Sequence, residues 1–423
     1  MGKCRTKGIG DLSTVRSQKQ SGIMINGRDI IIVGIQPWDI EIGSNCKNIA
    51  TEFAKDNRVL YVNPPLDRVT RNKQREKEAV QKRIKISKGQ LPDIEIIDDN
   101  LWNLYPKTLI ESINWIGNHQ LYKILNKRNA RLFSDDVKSA ADRLGFKDVL
   151  LFNDSSMFLG LHLKTYLKPE LYTYYVRDNL VKVPYWKKHG EQIEPKVIAN
   201  ADVVVNNSEY YVDYTAKYNQ NSLMVGQGCD VTMFNDTQGN IPVPEEFKTI
   251  NGPVIGYIGS LTTLRLDIDL IAYIAKQRQD WSIVLVGPED ENFRQSDLHQ
   301  LKNVHFFGNK PSNRLASYIK GFDVAINPQA VNEITIGNYP RKIDEYLAMG
   351  KPVVATKTKA MQMFEDYTYL GQTKEDYVSL IDTALIEHSV AKAKQRIEFA
   401  GKHTWTNSVK DIYRAMESTL KRM

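Results

Sequence analysis

A lysine and a glutamate near the C-terminus, Lys342 and Glu345, stand three residues apart in the segment NYPRKIDEYLAMGKPVVA, residues 338–355. Side chains at this spacing are neighbours on one face of a helix. A cation can hold a phosphate, and a carboxylate can accept strong hydrogen bonds from sugar hydroxyls. The pair could therefore hold the two ends of a nucleotide. The alternative interpretation is a solvated surface pair, which is common on helices.

The residues around this pair predict a loop, a short helix, a tight turn and a strand. Pro340 suits the first turn of a helix, where its missing N–H costs nothing. Gly350 is a natural helix C-cap, and Pro352 follows just beyond it. The apolar run 353–355 is typical of a buried parallel strand. The helix start would present free N–H groups and a positive dipole end to an anion, where Lys342 adds a full charge.

Polar side chains follow three predicted strands in the first half of the chain. Asp154 comes after the strand 148–152, Arg177 and Asp178 come after the strand 171–176, and a third strand ends in Asn and Ser. Ligands bind at the C-terminal ends of parallel strands. The alternative is that Asp and Asn simply end strands and cap helices. Three such clusters at one sheet edge favour a site there.

Glycines end the predicted strands of the second half. The strand that opens this half leads into Gly259 and Ser260, and the next one ends at Gly287. A strand that ends in Gly before a helix lets a phosphate approach the backbone, although Gly256 and Gly259 are only a fragment of a dinucleotide fingerprint that lacks its third Gly. Asp267 and Asp269 imitate a metal-binding Asp-x-Asp motif. At a helix start they are better interpreted as compensation of the helix dipole.

The segment from Glu345 to Ala355 resembles the donor-site signature of GT-B glycosyltransferases of the retaining family four, also called group 1. The run from Tyr174 to Asp178 resembles a segment of those members that build bacterial surface polysaccharides of the teichuronic-acid type. The resemblance implies that Glu345 binds the ribose of a nucleotide. That family usually has a second Glu eight residues earlier, where this chain has Gly337. The residues then implied to bind the donor are Gly259, Ser260, Arg265, Gly287, Asn338, Lys342 and Glu345.

The resemblance covers most of residues 28–420 and implies an α/β fold of the GT-B type, in which two Rossmann-like, doubly wound domains face a cleft. It implies that a nucleotide-diphosphate sugar donates its sugar to a hydroxyl of a lipid-linked or cell-surface glycan precursor, with retention of configuration. No metal ion or cofactor is expected. A GT-B nucleotide-sugar epimerase and a non-catalytic nucleotide-sugar-binding protein stay open. The catalytic candidates are Asp178, Asp154 and Arg177, and the acceptor-side candidates are Trp38, Asp39 and Gly43.

Length and composition set the expected organisation. A chain of 423 residues exceeds a typical single core, and its hydrophobic fraction of 42% is ordinary for a globular protein. We find no apolar run of about 18 residues and no signal peptide, which favours a cytoplasmic protein. Three cysteines show no metal-ligand spacing. The expected parts are a flexible leader 1–22, an N-terminal domain 23–235, a linker 236–252, a C-terminal domain 253–404 and a helix 405–423 that packs back on the first domain.

The net charge of +7 favours anionic partners. Lys and Arg residues crowd into residues 67–88, shortly before Trp102 and Trp115. Basic residues near exposed Trp and Leu fit attachment to an anionic membrane leaflet, at roughly 1 kcal/mol per well-placed cation. A solvated helix face beside a buried aromatic cluster explains the same pattern equally well. Nucleic acid is not expected as a partner, because no motif for binding it is recognisable.

Overall fold

The computed structural model describes residues 25–39 and 44–423 of the chain. Within this range two largely parallel sheets each carry helices on both faces, as predicted for two doubly wound domains. The predicted leader and Gly43 lie outside the described residues. Among the helices of the described range, none combines the length and the apolar character that crossing a bilayer needs.

The first sheet occupies the N-terminal half of the chain. Its strands are β1 (Asp29–Gly34), β2 (Arg58–Val62), β3 (Ile94–Asp98), β4 (Leu101–Leu104), β5 (Leu150–Asp154), β6 (Leu171–Val176), β7 (Val203–Asn206) and β8 (Ser222–Met224). Their order across the sheet is β3-β4-β2-β1-β5-β6-β7-β8, and only β3 runs antiparallel to its neighbour. Every residue of β1, β5 and β6 is buried, because helices cover both faces of the sheet.

Helices connect these strands and begin where the sequence supplies caps. They are α1 (Asn45–Phe53), α2 (Arg68–Lys73), α3 (Glu78–Ser87), α4 (His119–Arg143), α5 (Met157–Leu167), α6 (Pro184–Asn200) and α7 (Glu209–Thr215). The side chains of Ser44, Asp67 and Asn118 accept hydrogen bonds from the first turns of α1, α2 and α4. Helix α6 begins with a proline. Its lack of an N–H costs nothing there, because an N–H in the first turn has no partner within the helix.

The second sheet is entirely parallel. Its strands are β9 (Val254–Ile258), β10 (Ser282–Val286), β11 (Val304–Gly308), β12 (Val324–Asn327), β13 (Val353–Thr356) and β14 (Tyr369–Gly371), in the order β11-β10-β9-β12-β13-β14. The helices of this half are α8 (Ile268–Gln277), α9 (Glu291–Arg294), α10 (Leu315–Lys320), α11 (Lys342–Ala348), α12 (Lys374–Glu387) and α13 (Val390–Ala400).

The last helix, α14 (Trp405–Leu420), returns to the first domain and packs against α1. The ring of Tyr413 stacks on Phe53 with the ring centroids 5.1 Å apart, and its hydroxyl accepts a 2.9 Å hydrogen bond from the Asn57 side chain. Ile412 and Met416 are fully buried in the same core. Burying each large apolar side chain contributes roughly 1.5–3 kcal/mol, so this crossover ties the two halves of the chain together.

The predicted helix around Lys342 begins later than the sequence indicates. Pro340 precedes α11 by two residues, because its carbonyl accepts a 2.8 Å hydrogen bond from the Ile343 N–H in a turn before the helix. At the other end Gly350 has a φ of +69° and its N–H donates to the Leu347 carbonyl at 2.9 Å. A left-handed glycine at this place ends the helix, as the sequence predicts.

Candidate functional site

A cavity of about 410 Å³ lies where the C-terminal ends of β9, β10 and β12 meet the start of α11. Lys342 and Glu345 both line it, so the structure brings the predicted pair together on one surface. The residues predicted to bind a donor all line this cavity, which we call the donor cavity: Gly259, Ser260, Arg265, Gly287, Asn338, Lys342 and Glu345.

Two glycines form the floor of the donor cavity. Gly259 and Gly287 have φ values of +141° and +149°, which residues with a side chain rarely adopt. A Cβ on Gly287 would lie 1.8 Å from the carbonyl oxygen of Gly259, so only a glycine fits at position 287. The floor therefore exposes backbone to the cavity without any side chain in front of it.

Lys342 reaches over this floor from the first position of α11. Its Nζ lies 5.2 Å from the centroid of the Tyr257 ring, within the range of a cation–π contact. Its Cε lies 3.2 Å from where a Cβ on Gly259 would be. Lys342 is thus held above the glycine floor, where its charge can act on an anion in the cavity.

Glu345 is almost buried at the side of the donor cavity. Burial raises the pKa of Glu345, while the charges of Arg341 and Lys342 oppose this increase. The Nε of Arg341 lies 3.3 Å from Oε1 of Glu345. Sequence reasoning overlooked Arg341, although its position four residues before Glu345 is the spacing of a helical ion pair.

A second carboxyl on α11 fixes the helix from behind. Asp344 is fully buried and accepts a 2.6 Å hydrogen bond from the Tyr339 hydroxyl. Its other oxygen lies 2.6 Å from Nδ1 of His403, just before α14. Burial raises the pKa of Asp344, and the contact with His403 opposes that. No local pattern predicts this contact, because 59 residues separate the two partners.

Across the gap, the strand-end residues of the first domain form a charged cluster. Arg177 binds Asp154 through Nε at 2.8 Å and Asp178 through Nη1 at 2.7 Å. The Asp154 side chain is fully buried, whereas that of Asp178 is 34% exposed. Burial raises the pKa of Asp178, and the charges of Arg177 and Arg265 oppose this. Asp178 can therefore meet a bound molecule, and Asp154 positions Arg177.

The donor cavity, whose lining includes Arg265 and Asn338, lies next to the first domain. Direct contacts lie beside it. The Tyr211 hydroxyl lies 3.3 Å from Oδ1 of Asn338, and the Asn179 amide donates to the backbone carbonyl of Glu333 at 2.7 Å. The predicted cleft between two domains is therefore present, with the donor cavity on one side of it.

Residues 252–385 match the family described as glycosyl transferases group 1. They form a glycosyltransferase group 1 domain. A segment of 219 residues is also 28% identical to TuaH of Bacillus subtilis (strain 168), whose name assigns it to teichuronic acid biosynthesis as a glycosyltransferase. This similarity covers 49% of the chain and 54% of TuaH, so the match spans about half the length of that relative.

Solved structures extend the comparison to the whole chain. HepE of Anabaena in complex with UDP superimposes with a TM-score of 0.63 at 14% identity, covering 92% of this chain and 100% of HepE. Sucrose-phosphate synthase of Thermosynechococcus elongatus gives a TM-score of 0.57 at 15% identity, covering 94% of this chain and 97% of the synthase. At these identities the likeness concerns the fold, and it confirms the predicted GT-B architecture.

The glycosyltransferase group 1 domain thus contains the whole predicted donor set, whereas the acceptor-side candidates are dispersed. The ring of Trp38 packs edge-on against Tyr61 at 5.0 Å, and Asp39 pairs with Arg83 at 2.7 Å. Within the part of the chain that the structure describes, neither Trp38 nor Asp39 lines the donor cavity. Asp267 caps α8 by accepting a 2.9 Å hydrogen bond from the Leu270 N–H, which agrees with its interpretation as a helix-start residue.

Proposed function

We propose that this protein transfers a sugar from a nucleotide-diphosphate sugar to a hydroxyl of a lipid-linked or cell-surface glycan precursor. One observation carries the proposal: Lys342, Arg265 and Glu345 line a single cavity beside the contact between the two domains. The UDP bound in HepE supports a nucleotide donor, and the name of TuaH supports a cell-surface glycan as the product.

The proposed donor pose follows the charges of the cavity. The diphosphate lies over the glycine floor, where Lys342 and Arg265 supply cations and the exposed backbone allows close approach. Glu345 accepts hydrogen bonds from the ribose hydroxyls, and a charged acceptor makes these bonds stronger than neutral ones. Arg341 opposes the increase in the pKa of this nearly buried carboxyl and so favours its ionised form.

In the proposed reaction, the bond between the anomeric carbon and the diphosphate oxygen breaks, the acceptor oxygen bonds to the same carbon with retention, and the acceptor hydroxyl gives its proton to Asp178. Negative charge then develops on the diphosphate. Lys342 and Arg265 are fixed cations that can stabilise this charge without reorganising and without a metal ion. The gap between the domains limits the access of water, which would otherwise compete with the acceptor.

Asp178 is the proposed group on the acceptor side. It is the partly exposed carboxylate of its cluster, and it lies within the electrostatic reach of Arg265. In this position Asp178 can accept a hydrogen bond from the acceptor hydroxyl and orient its oxygen toward the donor. Such a reaction suits the cytoplasmic face of a membrane, where a water-soluble donor meets a lipid-linked acceptor.

Nucleotide release tests the proposal. The full chain is incubated with UDP- and GDP-sugars, with and without lipid-linked acceptors, and the products are identified by mass spectrometry. We expect release of nucleotide together with a glycosylated acceptor, and unchanged turnover after chelation of divalent metals. Conversion of the donor sugar without an acceptor would show epimerisation instead, and binding without turnover would show a non-catalytic protein.

A further inference from the structure

Three large apolar side chains of the N-terminal domain are mostly exposed. Trp115, Ile124 and Tyr185 have 76%, 67% and 58% of their surface accessible. Trp102 follows the second of the two interpretations that the sequence left open, a buried aromatic cluster: it lies in β4, partly buried, with its ring against Phe146 at 5.9 Å. Exposed side chains of this size, when grouped, indicate an interaction surface.

The exposed side chains belong to one surface. Trp115 and Tyr185 line the same cavity of about 460 Å³, together with Val69 of α2. The segment that carries Trp115 is tied to α6, because the Lys188 ammonium donates to the Trp115 carbonyl at 2.6 Å and the Asn114 amide donates to the Tyr185 carbonyl at 2.7 Å. The positions of Trp115 and Tyr185 are therefore fixed relative to each other.

Ile124 extends this surface along α4. It lines a neighbouring cavity of about 360 Å³, together with Lys123, Lys127 and Lys196. The two cavities share Tyr122 and Asn126 as lining residues, so they adjoin each other along α4. We call the surface around both mouths the aromatic-basic face.

The charge of the aromatic-basic face is positive. Lys123, Lys127, Lys187 and Lys196 are exposed on α4 and α6. The acidic side chains nearby already have hydrogen-bond or ion-pair partners. Asp67 caps α2 and accepts a hydrogen bond from Ser112, Glu111 pairs with Arg68 at 2.7 Å, and Glu191 faces Lys182 at 3.8 Å.

Part of the basic segment predicted to bind a membrane serves the fold instead. Lys82 pairs with Glu95 at 2.6 Å, and its Nζ lies 4.4 Å from the centre of the Tyr105 ring. Arg83 pairs with Asp39 and also lies over Tyr105, at 5.4 Å. Lys82 and Arg83 of α3 are therefore held against β3, Tyr105 and the first loop. The aromatic-basic face is built mainly from α2, α4, α6 and residues 110–118.

We propose that the aromatic-basic face docks on a membrane surface that contains anionic lipids, with Trp115, Tyr185 and Ile124 entering the headgroup region. Aromatic rings and aliphatic side chains beside lysines match an interface that is apolar below and anionic above. A polyanion such as nucleic acid would use the lysines but gain little from Ile124 or Val69. This inference stands without the proposed transfer reaction, since it rests only on exposed residues outside the donor cavity.

Co-sedimentation with vesicles tests the inference on the full chain. We expect binding to phosphatidylcholine vesicles that contain phosphatidylglycerol, and about tenfold weaker binding to phosphatidylcholine alone. Trp115→Ala with Ile124→Ala, and separately Lys123→Gln with Lys127→Gln, should each reduce binding about tenfold. The matched controls are Ile386→Ala with Val390→Ala, which are 82% and 89% exposed in the other domain, and Lys394→Gln with Lys410→Gln.

Each outcome decides the matter. Loss of binding in both face variants, with the controls and the melting temperature unchanged, supports docking. Absence of binding to anionic vesicles overturns it, as does equal loss in the controls. Binding that responds to the lysine variant but not to Trp115→Ala with Ile124→Ala would show mere adhesion to anions and overturns it too. So would dimerisation in light scattering that the face variants abolish, because the face would then be a protein interface.

Discussion

The side-chain hydroxyl of Ser208 in the first domain donates a 2.9 Å hydrogen bond to the backbone carbonyl of Gly337 in the second. Tyr210 lies against the same glycine: a Cβ on Gly337 would be 2.3 Å from its Cδ1. In the resembled family this position usually carries a Glu. Here Tyr210 of the first domain occupies the space that such a side chain would need. Whatever contacts the transferred sugar here must come from another residue.

Gly337→Ala should therefore disturb the contact between the domains. Because Tyr210 leaves no room for a side chain, we expect the domains to separate. Turnover should fall roughly tenfold or more, since overpacking typically costs about 1–3 kcal/mol. The double variant Gly337→Ala with Tyr210→Ala should recover much of this loss. Small-angle scattering and turnover measure both effects, and an unchanged single variant would refute the steric argument.

Asp178→Asn should separate chemistry from binding. We expect turnover to fall while the affinity for nucleotide stays the same, because Asp178 faces the acceptor side. Burial raises the pKa of Asp178, so this carboxyl takes up a proton at a higher pH than an ordinary aspartate. On acidification, the turnover of the unmodified enzyme should therefore begin to decline at that higher pH. Full turnover in the variant would remove Asp178 from the mechanism.

Asp154→Asn should act mainly on stability. Asp154 is fully buried against Arg177, and removing one partner of a buried pair costs about 3–5 kcal/mol when the other charge is left uncompensated. Because Asn keeps a hydrogen-bond acceptor, we expect a loss of about 3 kcal/mol at most. Denaturant unfolding measures it. If stability is unchanged while turnover is abolished, Asp154 acts directly rather than through Arg177.

The sequence could bring together most residues of the donor cavity because they belong to regular elements. Gly259 and Gly287 end adjacent parallel strands, and Lys342 and Glu345 occupy one helical turn, so local patterns suffice to bring them together. Arg265 could be placed only through the resemblance, because it lies in a loop. The path of this loop depends on the hydrogen bond that the Arg265 carbonyl accepts from the Ala330 N–H.

Contacts between distant segments were beyond the sequence. The bond between Asp344 and His403 and the packing of Tyr210 on Gly337 join residues far apart in the chain, and neither has a periodic signature. The same holds for the aromatic-basic face, which assembles from α2, α4 and α6. The basic run was visible, but whether Lys82 and Arg83 bind solvent or Tyr105 depends on tertiary packing.

A buried carboxyl away from the cleft predicts a pH dependence of stability. Burial raises the pKa of Glu194 from its ordinary value of 4.5 to about 7, although the hydroxyls of Tyr174 and Tyr214 donate to it at 3.2 and 3.0 Å. The folded state then binds the proton more tightly than the unfolded state. Stability is therefore highest below pH 4.5 with respect to this group and falls as the pH rises to about 7, by about 3 kcal/mol.

Glu194→Gln should remove this dependence. We expect the variant to be more stable than the unmodified protein at pH 8 and to lack the decline attributed to Glu194 between pH 4.5 and 7. Denaturant unfolding at a series of pH values measures the difference, and Glu398→Gln, a largely exposed change, is the matched control. Parallel stability profiles for Glu194→Gln and the unmodified protein would contradict the assignment.

Lys342→Ala should weaken the binding of the diphosphate but not of the nucleoside. Loss of one charge-assisted contact costs about 1.5–3 kcal/mol. We therefore expect reduced affinity for UDP and little change for uridine, with the exposed Lys357→Ala as control. Equal losses for UDP and uridine in calorimetric titrations would mean that Lys342 does not lie at the diphosphate.

Calorimetric titration of UDP and GDP into the Glu345→Ala variant tests the central claim most directly. For whichever nucleotide the unmodified protein binds, we expect a loss of about 1–3 kcal/mol of binding free energy, because the variant lacks the carboxylate that accepts hydrogen bonds from the ribose. The exposed Glu398→Ala should bind like the unmodified protein. Unchanged nucleotide affinity in Glu345→Ala would contradict the assignment of the donor cavity.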